Sequence, residues 1–501
     1  MQVSRFETMR PAEHLRSASH YAAGENMATA PVLYIHGTAG NSVKLSVLIA
    51  APSKQPRPVV RVEEADVAAK LAMEHEDWSV WLYAFDLRMG SDASYEVGGI
   101  KYGVNTDFSA DLRIAFVSCN GQEHGDVERP ADERNRLWRR LLVQHAERPF
   151  QLLLHGGDQV YADELLDIHP LLREWADGST CTNLDAIPEA IQILRGAFLG
   201  IYLHNLQQPE PAWLQSRIPS LAMWDDHDIC DGWGSLSEAK LDSPVGQALF
   251  ATAREFFLVF QLGVMPIGHT ELSLDDTGVS LTWHLGLPGL DVIAPDLRSE
   301  RRPDRVMGLK GWDTVSQAFA SVRQGHVFVL STVPALGPRL SMLEAVVGLG
   351  GLLHKYEDDL RDQWQSKWHR EEWGRFMSLL AEVHERTPVT VLSGEIHLAA
   401  RGTFDLSSGP MHQLIASGIA HPAPSRLYAA LLKVVSLLPM DLLDEGTISM
   451  RPLPGLRARY VAQRNYLILE RQSGIWLAHW ELEGSGPTRP LDLSSRYRDG
   501  K

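Results

Sequence analysis

Five apolar segments of the chain each end directly at a group that can bind a metal or transfer a proton. In chain order they are LRIAFVSC, QLLLHGGD, IPSLAMWDDH, LDVIAPDLR and PVTVLSGEIH. Short apolar runs bounded by turn residues predict buried strands. In layered α/β proteins, ligands bind in the crevice beyond the carboxyl ends of the strands. The pattern therefore predicts an α/β fold in which these ends meet at a shared pocket.

The first 107 residues differ in pattern from the rest of the chain. PVLYIHG, VKLSVLIAAP, PVVRVEEA and WSVWLYAFDL are short β-like runs separated by turn residues, which predicts a small β-sandwich domain over 1–107. From 108 to 501, apolar strands alternate with amphipathic stretches at Arg134–Arg148, Glu189–Leu206 and Gln363–Arg386. This alternation predicts a layered α/β domain, which includes the C-terminal segments NYLILER and IWLAHWELEG.

Composition limits the classes of partner and compartment. The formal net charge is −16 and no block of Lys and Arg offers a stripe for a phosphate backbone, so we expect no nucleic-acid binding through a basic surface. No window has 18 uninterrupted apolar residues, and we expect no membrane span. The N-terminus lacks the apolar run of a signal peptide, and three cysteines suit a reducing compartment. We therefore expect a cytoplasmic protein, and the sequence indicates no oligomeric state.

The segment LLLHGGDQVYADEL places oxygen ligands where a core strand ends. Asp158 can bridge two metal ions with its two carboxylate oxygens. Tyr161 can bind a ferric ion as a phenolate, because a hard trivalent cation lowers the pKa of the phenol. Cys119 adds a soft ligand, and a mixed set of O, N and S ligands suits transition metals. The alternatives are that Asp158 caps a helix, Tyr161 packs, and Cys119 is a small buried apolar residue.

The segment WDDHDICDGWG follows an apolar strand and is rich in carboxylates. Burying three carboxylates without partners is costly, so cations or solvent are expected nearby. We expect Asp226 to bind a metal and His227 to donate a proton to the substrate. The alternative is an exposed acidic loop with a helix cap.

Two further segments supply candidate site residues. In SGEIH, Glu395 and His397 are two residues apart and lie on one face if the backbone is extended, so both can point at one metal centre. Alone this pair is a weak signal, since many strand ends carry a Glu and a His. In PDLRSERR, Arg298 and Arg302 can hold an anionic substrate, the alternative being surface salt bridges.

Taken in order, SCN, GDQVYAD, WDDHD, DLRSERR and SGEIH resemble the motifs of the PhoD-like alkaline phosphatases, a branch of the calcineurin-like metallophosphoesterases. GDQVYAD is also similar to the motif of purple acid phosphatases, whose tyrosine binds ferric iron. The resemblance runs from about Asp111 to past His421, with a β-rich segment in front. It implies a four-layer αββα metallophosphoesterase domain preceded by a small β-sandwich domain.

The resemblance also implies the roles of individual residues. An iron site would be formed by Cys119, Asp158, Tyr161 and His397. A second site, for calcium, would share Asp158 and add Asp226 and Glu395. His227 matches the catalytic histidine of the family, and Arg298 matches its phosphate-contacting arginine. Zinc, manganese or magnesium are alternative metals.

The predicted function is that of a metal-dependent phosphatase or phosphodiesterase, which hydrolyses a small phosphorylated substrate with a metal-bound hydroxide at a dinuclear site. The alternative is a non-catalytic protein that keeps the scaffold and binds metal or phosphate. Three departures from the family pattern bear on the metals. Asp228 stands where the family has Glu, GEIH replaces GDxH, and Cys119 occupies the region of the usual Asp-x-His.

Overall fold

The structure is a computed structural model, and it describes residues 27–178, 183–267, 272–337, 364–366, 368–435, 442–443 and 446–494. The strands of the first half are β1 (Val32–Ala39), β2 (Ser42–Pro52), β3 (Val60–Val62), β4 (Ala65–Asp66), β5 (Ala69–His75), β6 (Trp78–Arg88), β7 (Ala93–Val97), β8 (Ile100–Val104), β9 (Leu112–Val117), β10 (Leu152–Gly156) and β11 (Ser220–Met223).

The remaining strands are β12 (Trp283–Leu287), β13 (Leu290–Ala294), β14 (His326–Leu330), β15 (Val389–Ser393), β16 (Ala399–Leu406), β17 (Gly409–Ile415), β18 (Leu442–Leu443), β19 (Gly446–Arg451), β20 (Tyr460–Val461), β21 (Asn465–Gln472), β22 (Ile475–Leu482), β23 (Gly486–Pro487) and β24 (Leu491–Asp492). The α-helices are α1 (Ala131–Arg134), α2 (Arg136–Glu147), α3 (Pro170–Ala176), α4 (Ile187–Leu206), α5 (Pro209–Gln215), α6 (Glu238–Leu241), α7 (Pro244–Phe260), α8 (Leu309–Ser321), α9 (Arg370–Arg386) and α10 (Arg426–Val435). Short 3-10 helices cover Asp163–Asp167 and Leu184–Ala186.

The first sheet has parallel strands at its centre. Its order is β23-β22-β21-β9-β10-β11-β1-β2-β6-β5, and β24 pairs with β22. The four neighbours β9, β10, β11 and β1 are parallel, so β9, β10 and β11 end at the same edge. Every residue of β10, LLLHG, is buried, as expected for a central parallel strand covered on both faces.

The second sheet repeats this arrangement. Its order is β12-β13-β14-β15-β17-β16-β19-β18, and β20 pairs with β16. Strands β13, β14, β15 and β17 are parallel neighbours, and their carboxyl ends share one edge. A third, small sheet has the order β4-β3-β7-β8.

The two large sheets share one hydrophobic core. It contains Phe116 and Leu154 of the first sheet together with Val329 and Val391 of the second. The sheets are also linked at the edge where their parallel strands end, because the Ser118 hydroxyl donates a hydrogen bond to the Ala416 carbonyl at 3.1 Å. Helices add further apolar contacts, as in α2, whose spacing buries one side of the helix. The predicted α/β class is confirmed.

The strands of the N-terminal segment extend the first sheet. Strand β1 pairs in parallel with β11, with Tyr34 opposite Ser220, and β2, β6 and β5 follow it. Val47 and Tyr83 of this segment lie in the core that the two large sheets share. The predicted small β-sandwich is therefore not confirmed, since its long strands continue the sheet that carries the site. Pairing between distant strands leaves no local signal in the sequence. The division of the chain between 107 and 108 stays a prediction.

The three predicted amphipathic stretches contain helices. Helices α2 and α4 begin and end within two residues of the predicted Arg134–Arg148 and Glu189–Leu206. Helix α9 begins at Arg370, and Gln363, where we expected it to begin, lies outside the described residues. One segment of the described chain, Leu184–Leu206, is long and apolar enough to cross a membrane by length and composition alone.

One face of this segment packs against a neighbouring helix. The Phe198 and Tyr202 rings of α4 stack on Phe256 of α7, at centroid distances of 5.4 and 6.0 Å. The absence of a membrane span stays a prediction.

Candidate metal centre and active site

The carboxyl ends of the parallel strands of both sheets open on one cavity of about 800 Å³. Five predicted site residues from three strand ends line it, and they are Asp158, Asp226, His227, Glu395 and His397. His421, which lies beyond β17, lines it as well. The convergence expected from the sequence is present, since Asp158 follows β10, Asp226 follows β11, and Glu395 follows β15.

Four of the predicted ligands have left-handed backbones. The φ angles are 55° at Cys119, 55° at Asp158, 62° at Glu395 and 52° at His397. This region is uncommon for residues other than glycine, and such strain concentrates at functional sites. Glu395 and His397 do not lie on one face of an extended strand, because β15 ends at Ser393 and both residues have positive φ. Both nevertheless reach the same cavity.

Asp158 is the most constrained acid of the site. Its side chain is buried, with the Cys119 sulfur 3.4 Å from Oδ2. Its other oxygen, Oδ1, is buried and has no hydrogen-bond partner within the described residues. Burial and the neighbouring Asp225 raise the pKa of this carboxyl well above its usual value. A cation at Oδ1 would remove the cost of burying an ionised, unpartnered carboxylate.

The predicted iron ligands are close to one another. Ligand atoms of Cys119, Asp158 and His397 all lie within 4.8 Å of each other. The Tyr161 hydroxyl is 3.4 Å from Nε2 of His397. Burial and the neighbouring His421 hold the pKa of His397 well below its usual value, so the imidazole is neutral, the form that binds metals. Burial raises the pKa of the Cys119 thiol and of the Tyr161 phenol.

A second ligand cluster shares Asp158. Oxygens of Asp158, Asp225 and Asp226 lie within 4.8 Å of each other. We predicted Asp226 for this site, whereas Asp225 was not expected. Glu395, the other predicted ligand, lines the cavity but belongs to none of the close ligand clusters in the described part of the chain. A further cluster joins Asp226, His227 and Asp231.

This donor set fits metal ions. Two clusters meet at a carboxylate whose Oδ1 is otherwise unpartnered, and together they offer a thiol, an imidazole and several carboxylates. Mixed O, N and S ligands favour transition metals, and an all-carboxylate cluster favours harder cations. The identity of the metals stays a prediction.

Arg298 is buried and bonded to acids beneath the cavity. Its side chain is fully buried, its Nε donates to Oδ1 of Asp225, and its Nη2 lies 3.3 Å from Oδ1 of Asp226. Nη1 donates to the carbonyl of Trp233 at 3.1 Å. Arg298 is not among the described residues that line the cavity, so this placement does not support the predicted phosphate contact. Arg302 pairs with the exposed Asp242 at 2.7 Å, as in the alternative of a surface salt bridge.

His227 is held in one orientation at the cavity wall. Its Nδ1 lies 2.9 Å from Oδ2 of Asp163, and its ring stacks on Tyr161 at a centroid distance of 4.5 Å. Burial lowers the pKa of His227, but the carboxylates of Asp163 and Asp226 outweigh burial and hold the pKa well above its usual value. Its orientation towards the cavity and the raised pKa both favour a role as proton donor.

Asp228 organises the two loops that carry the acids. It accepts hydrogen bonds from the backbone amides of Asp158 (3.1 Å), Gln159 (3.1 Å), Val160 (3.2 Å) and Asp225 (2.9 Å). Burial raises its pKa to about 6. The sequence did not predict this role, because a carboxylate that accepts backbone hydrogen bonds and a carboxylate that binds a metal have the same sequence signature.

Three other residues of the site were assigned no role from the sequence. Asp163 bonds to His227, and its Oδ1 accepts from the Asp231 amide at 2.7 Å. The His421 ring stacks on His397 at a centroid distance of 3.4 Å, and its Nε2 lies 3.2 Å from Glu123. The signal for Asp163 was its place in the acidic run after β10. His421 and Glu123 belong to no motif that could have indicated them.

Comparisons with known proteins place the chain in a family. A family model described as PhoD-related phosphatase matches residues 71–350, more than half of the chain. The uncharacterized protein YGR266W of Saccharomyces cerevisiae is 22% identical over 423 residues, which cover 69% of this chain and 60% of the yeast protein. The chain thus spans less than two thirds of the length of that relative.

Solved structures show a related fold. A chain described as the structure of PhoD matches with a TM-score of 0.54 at 13% identity and covers 95% of both chains. GAP50, described as the anchor in the inner membrane complex of Plasmodium, has a TM-score of 0.36 at 8% identity, with 77% of this chain and 89% of that chain covered, which is too low to bear on the fold. The family match rests on the sequence and includes the strands and loops that carry Cys119, Asp158, Asp226 and His227. The chain belongs to the family of PhoD-related phosphatases.

Proposed function

We propose that the protein hydrolyses phosphate esters at a centre of two metal ions. The observation that carries the proposal is Asp158, a buried carboxylate that two ligand clusters share and whose Oδ1 has no hydrogen-bond partner in the described structure. Family membership supports phosphoesterase chemistry at a coarse level. The dinuclear mechanism goes beyond that membership and is our own inference.

Cys119, Asp158 and His397, with Tyr161 beside them, would hold one ion, for which we propose iron. Asp158, Asp225 and Asp226 would hold the other, with Glu395 at the cavity wall as a further oxygen ligand. We propose calcium for this carboxylate-rich site, and zinc, manganese or magnesium are the alternatives. When bound, two such ions supply an activated water and positive charge for the phosphoryl oxygens.

The protein's own residues would manage the proton and the charges. His227 would give a proton to the departing oxygen of the ester, because its ring faces the cavity and Asp163 fixes its orientation. Arg298 would act on the acids rather than on the substrate. Its bonds to Asp225 and Asp226 offset part of their charge and fix their oxygens.

The alternative function is that of a non-catalytic protein that binds metal or phosphate on the same scaffold. The bond between His227 and Asp163 favours the enzyme, since a binding protein has no need of an oriented, protonated imidazole beside the ligand clusters. Monoesters and diesters both suit the chemistry. We further propose a small phosphorylated substrate, no nucleic-acid partner, a cytoplasmic location and the four-layer αββα arrangement of the catalytic domain.

Replacement of Asp158 by Asn tests the proposal. Asp158→Asn keeps the size of the side chain but removes the charge that both clusters share, so we expect turnover of a generic phosphate ester to be abolished and bound metal to fall. Asp242→Asn is the matched control, because Asp242 is exposed and its side chain bonds only to Arg302 among the described contacts. Unchanged turnover in Asp158→Asn would overturn the two-metal centre.

A further inference from the structure

The cavity is much larger than a phosphate group, and one side of it is apolar. Leu336, Ile396, Ile415, Leu432, Met450 and Tyr460 line this side. They come from β17, β19, β20, α10 and the loops after β14 and β15. We call this region the apolar chamber. A volume of about 800 Å³ for the whole cavity is in the range of pockets that hold drug-sized ligands.

Apart from the proposed metal ligands, two residues that line this cavity have a polar atom without a partner in the described structure. The Tyr460 hydroxyl and Oε1 of Gln365 are both buried, and neither has a hydrogen-bond partner within the described residues. The two residues are only 6% and 8% exposed, and both line the cavity. The orientation of the Gln365 amide is fixed, because its Nε2 donates to the Ala335 carbonyl at 2.7 Å. Its Oε1 is the atom that remains without a partner in the described structure. A buried donor or acceptor without a partner is costly, so these two atoms indicate a ligand.

The charge of the lining restricts the ligand further. Among the described residues that line the cavity, none is a Lys or an Arg, while Glu123, Asp163 and Asp167 line it near the metal ligands. Among these described residues, a substrate with several phosphates would find no cationic side chain to hold the additional phosphates. A sugar would place many hydroxyls against Leu, Ile and Met side chains, where two polar atoms cannot satisfy them.

We propose that the apolar chamber binds the alcohol part of the phosphate ester, and that this alcohol is largely apolar and carries a hydroxyl. The inference rests on the proposed function, and it names the substrate class. The hydroxyl pairs with one of the two unpartnered atoms, because it can accept from the Tyr460 phenol or donate to Oε1 of Gln365. The phosphate lies at the metal clusters, and the hydrocarbon part covers Leu432 and Met450.

A series of n-alkyl phosphates from methyl to octyl, each below its micelle concentration, tests the chamber. We expect kcat/KM to rise by about fourfold per added methylene until the chamber is full, which is the usual gain from burying a methylene. Turnover of methyl phosphate with no rise along the series would overturn the chamber and leave the proposed function standing.

Binding measurements separate the two proposals. If no ester is hydrolysed, the proposed function fails, and calorimetry with methylphosphonate and octylphosphonate on the metal-loaded protein then decides about the chamber. Tighter binding of octylphosphonate, by on the order of a hundredfold or more over seven methylenes, supports the chamber. Equal binding of the two phosphonates overturns it.

Two variants test the walls of the chamber. Met450→Gln keeps the side-chain length but makes the wall polar, so we expect the octyl ester to lose about tenfold in kcat/KM and the methyl ester less than twofold. Tyr460→Phe should reduce the preference for the best hydroxyalkyl phosphate over its alkyl counterpart, by on the order of tenfold.

Tyr95→Phe is the control for Tyr460→Phe, because the Tyr95 hydroxyl donates to the Ser216 carbonyl and Tyr95 is not part of the described lining. It should leave the preference for the hydroxyalkyl ester unchanged. An unchanged preference in Tyr460→Phe as well would remove that residue from the ligand contacts.

Discussion

At the scale of single residues, the chemistry depends on how the acids of the site are neutralised. Asp225 and Asp226 are bonded to Arg298, and Asp163 is bonded to His227. Asp158 has a thiol 3.4 Å from one oxygen, and no hydrogen-bond partner at the other in the described structure. Its raised pKa is a consequence of this environment, and a bound cation would reverse it. Asp158 is therefore the residue at which metal binding and ionisation are most tightly coupled.

His227 should matter for the rate and not for metal content. His227→Ala should keep the bound metal and lose roughly 10²–10⁴-fold in kcat, because it removes the proton donor. The loss should be smaller for esters with very good leaving groups, which need little protonation. His124→Ala is the control, since His124 is an exposed histidine that also lines the cavity. An equal loss for good and poor leaving groups would contradict the role of His227 as the acid.

Tyr161 should determine the colour of the protein. If its phenolate binds ferric iron, charge transfer from the ligand to the metal gives a broad visible band. Tyr161→Phe keeps the ring that stacks on His227 and His421, so the fold should persist while the band disappears. Visible absorption spectra and elemental analysis of the unmodified protein and of Tyr161→Phe test this prediction. An active, colourless, iron-free protein would contradict phenolate ligation, although zinc or manganese would still permit the esterase chemistry.

At the scale of structural elements, the turns after the strands create the site. Strand β10 ends at Gly156, and the chain then reverses through Gly157 and Asp158, which both have positive φ. Asp228 accepts from three amides of this turn and from the amide of Asp225 in the loop after β11. The two loops that carry the shared acids are thereby held in one fixed arrangement.

Gly157 tests how closely these loops must approach. It has a φ of 97°, and a Cβ there would lie 2.7 Å from Cγ2 of Thr332 and 2.8 Å from Cβ of Asp225. Gly157→Ala should lower the free energy of unfolding by about 1–3 kcal/mol more than a matched surface change, and it should reduce bound metal. Gly40→Ala is the matched change, since Gly40 has a φ of 59° and open space at its Cβ. Denaturant titration compares the free energies of unfolding of the two variants. Equal losses of stability would contradict a close approach of the loops at Gly157.

The strand ends and their polar residues could be predicted from the sequence because the signal is local. An apolar run that stops at Asp158 or Asp226 indicates both a buried strand and a polar rim. The sequence could not predict whether a side chain at a strand end lines the cavity or is buried against neighbouring residues. Arg298 follows β13 just as Asp226 follows β11, but its side chain points under the cavity and bonds to acids.

Residues brought in from distant segments had no local signal at all. His421 reaches His397 because the chain turns back beyond β17, and Glu123 reaches His421 from the loop after β9. The same limit applies to the sheets, since the pairing of Tyr34 with Ser220 depends on the folded arrangement of the 185 residues between them. Long-range pairing of this kind is decided by the shared core rather than by the residues next to each strand.

At the scale of the whole molecule, two large sheets place their parallel strand ends at one edge, and the chain uses that edge for its chemistry. One sheet contributes Cys119, Asp158 and Asp226, and the other contributes His397. The two sheets share one core, so the ligands from both are held by the same packing. We propose that this shared edge is a dinuclear metal centre that hydrolyses phosphate esters.

Metal content and turnover of the same purified protein, measured before chelation, after chelation and after metal is returned, test that claim most directly. We expect two bound metal ions per chain and hydrolysis of a generic phosphate ester. We expect hydrolysis to disappear when the metals are removed and to return when they are added back, while Asp158→Asn remains inactive after metal is added. Hydrolysis at an unchanged rate by the metal-free protein would contradict the dinuclear metal centre.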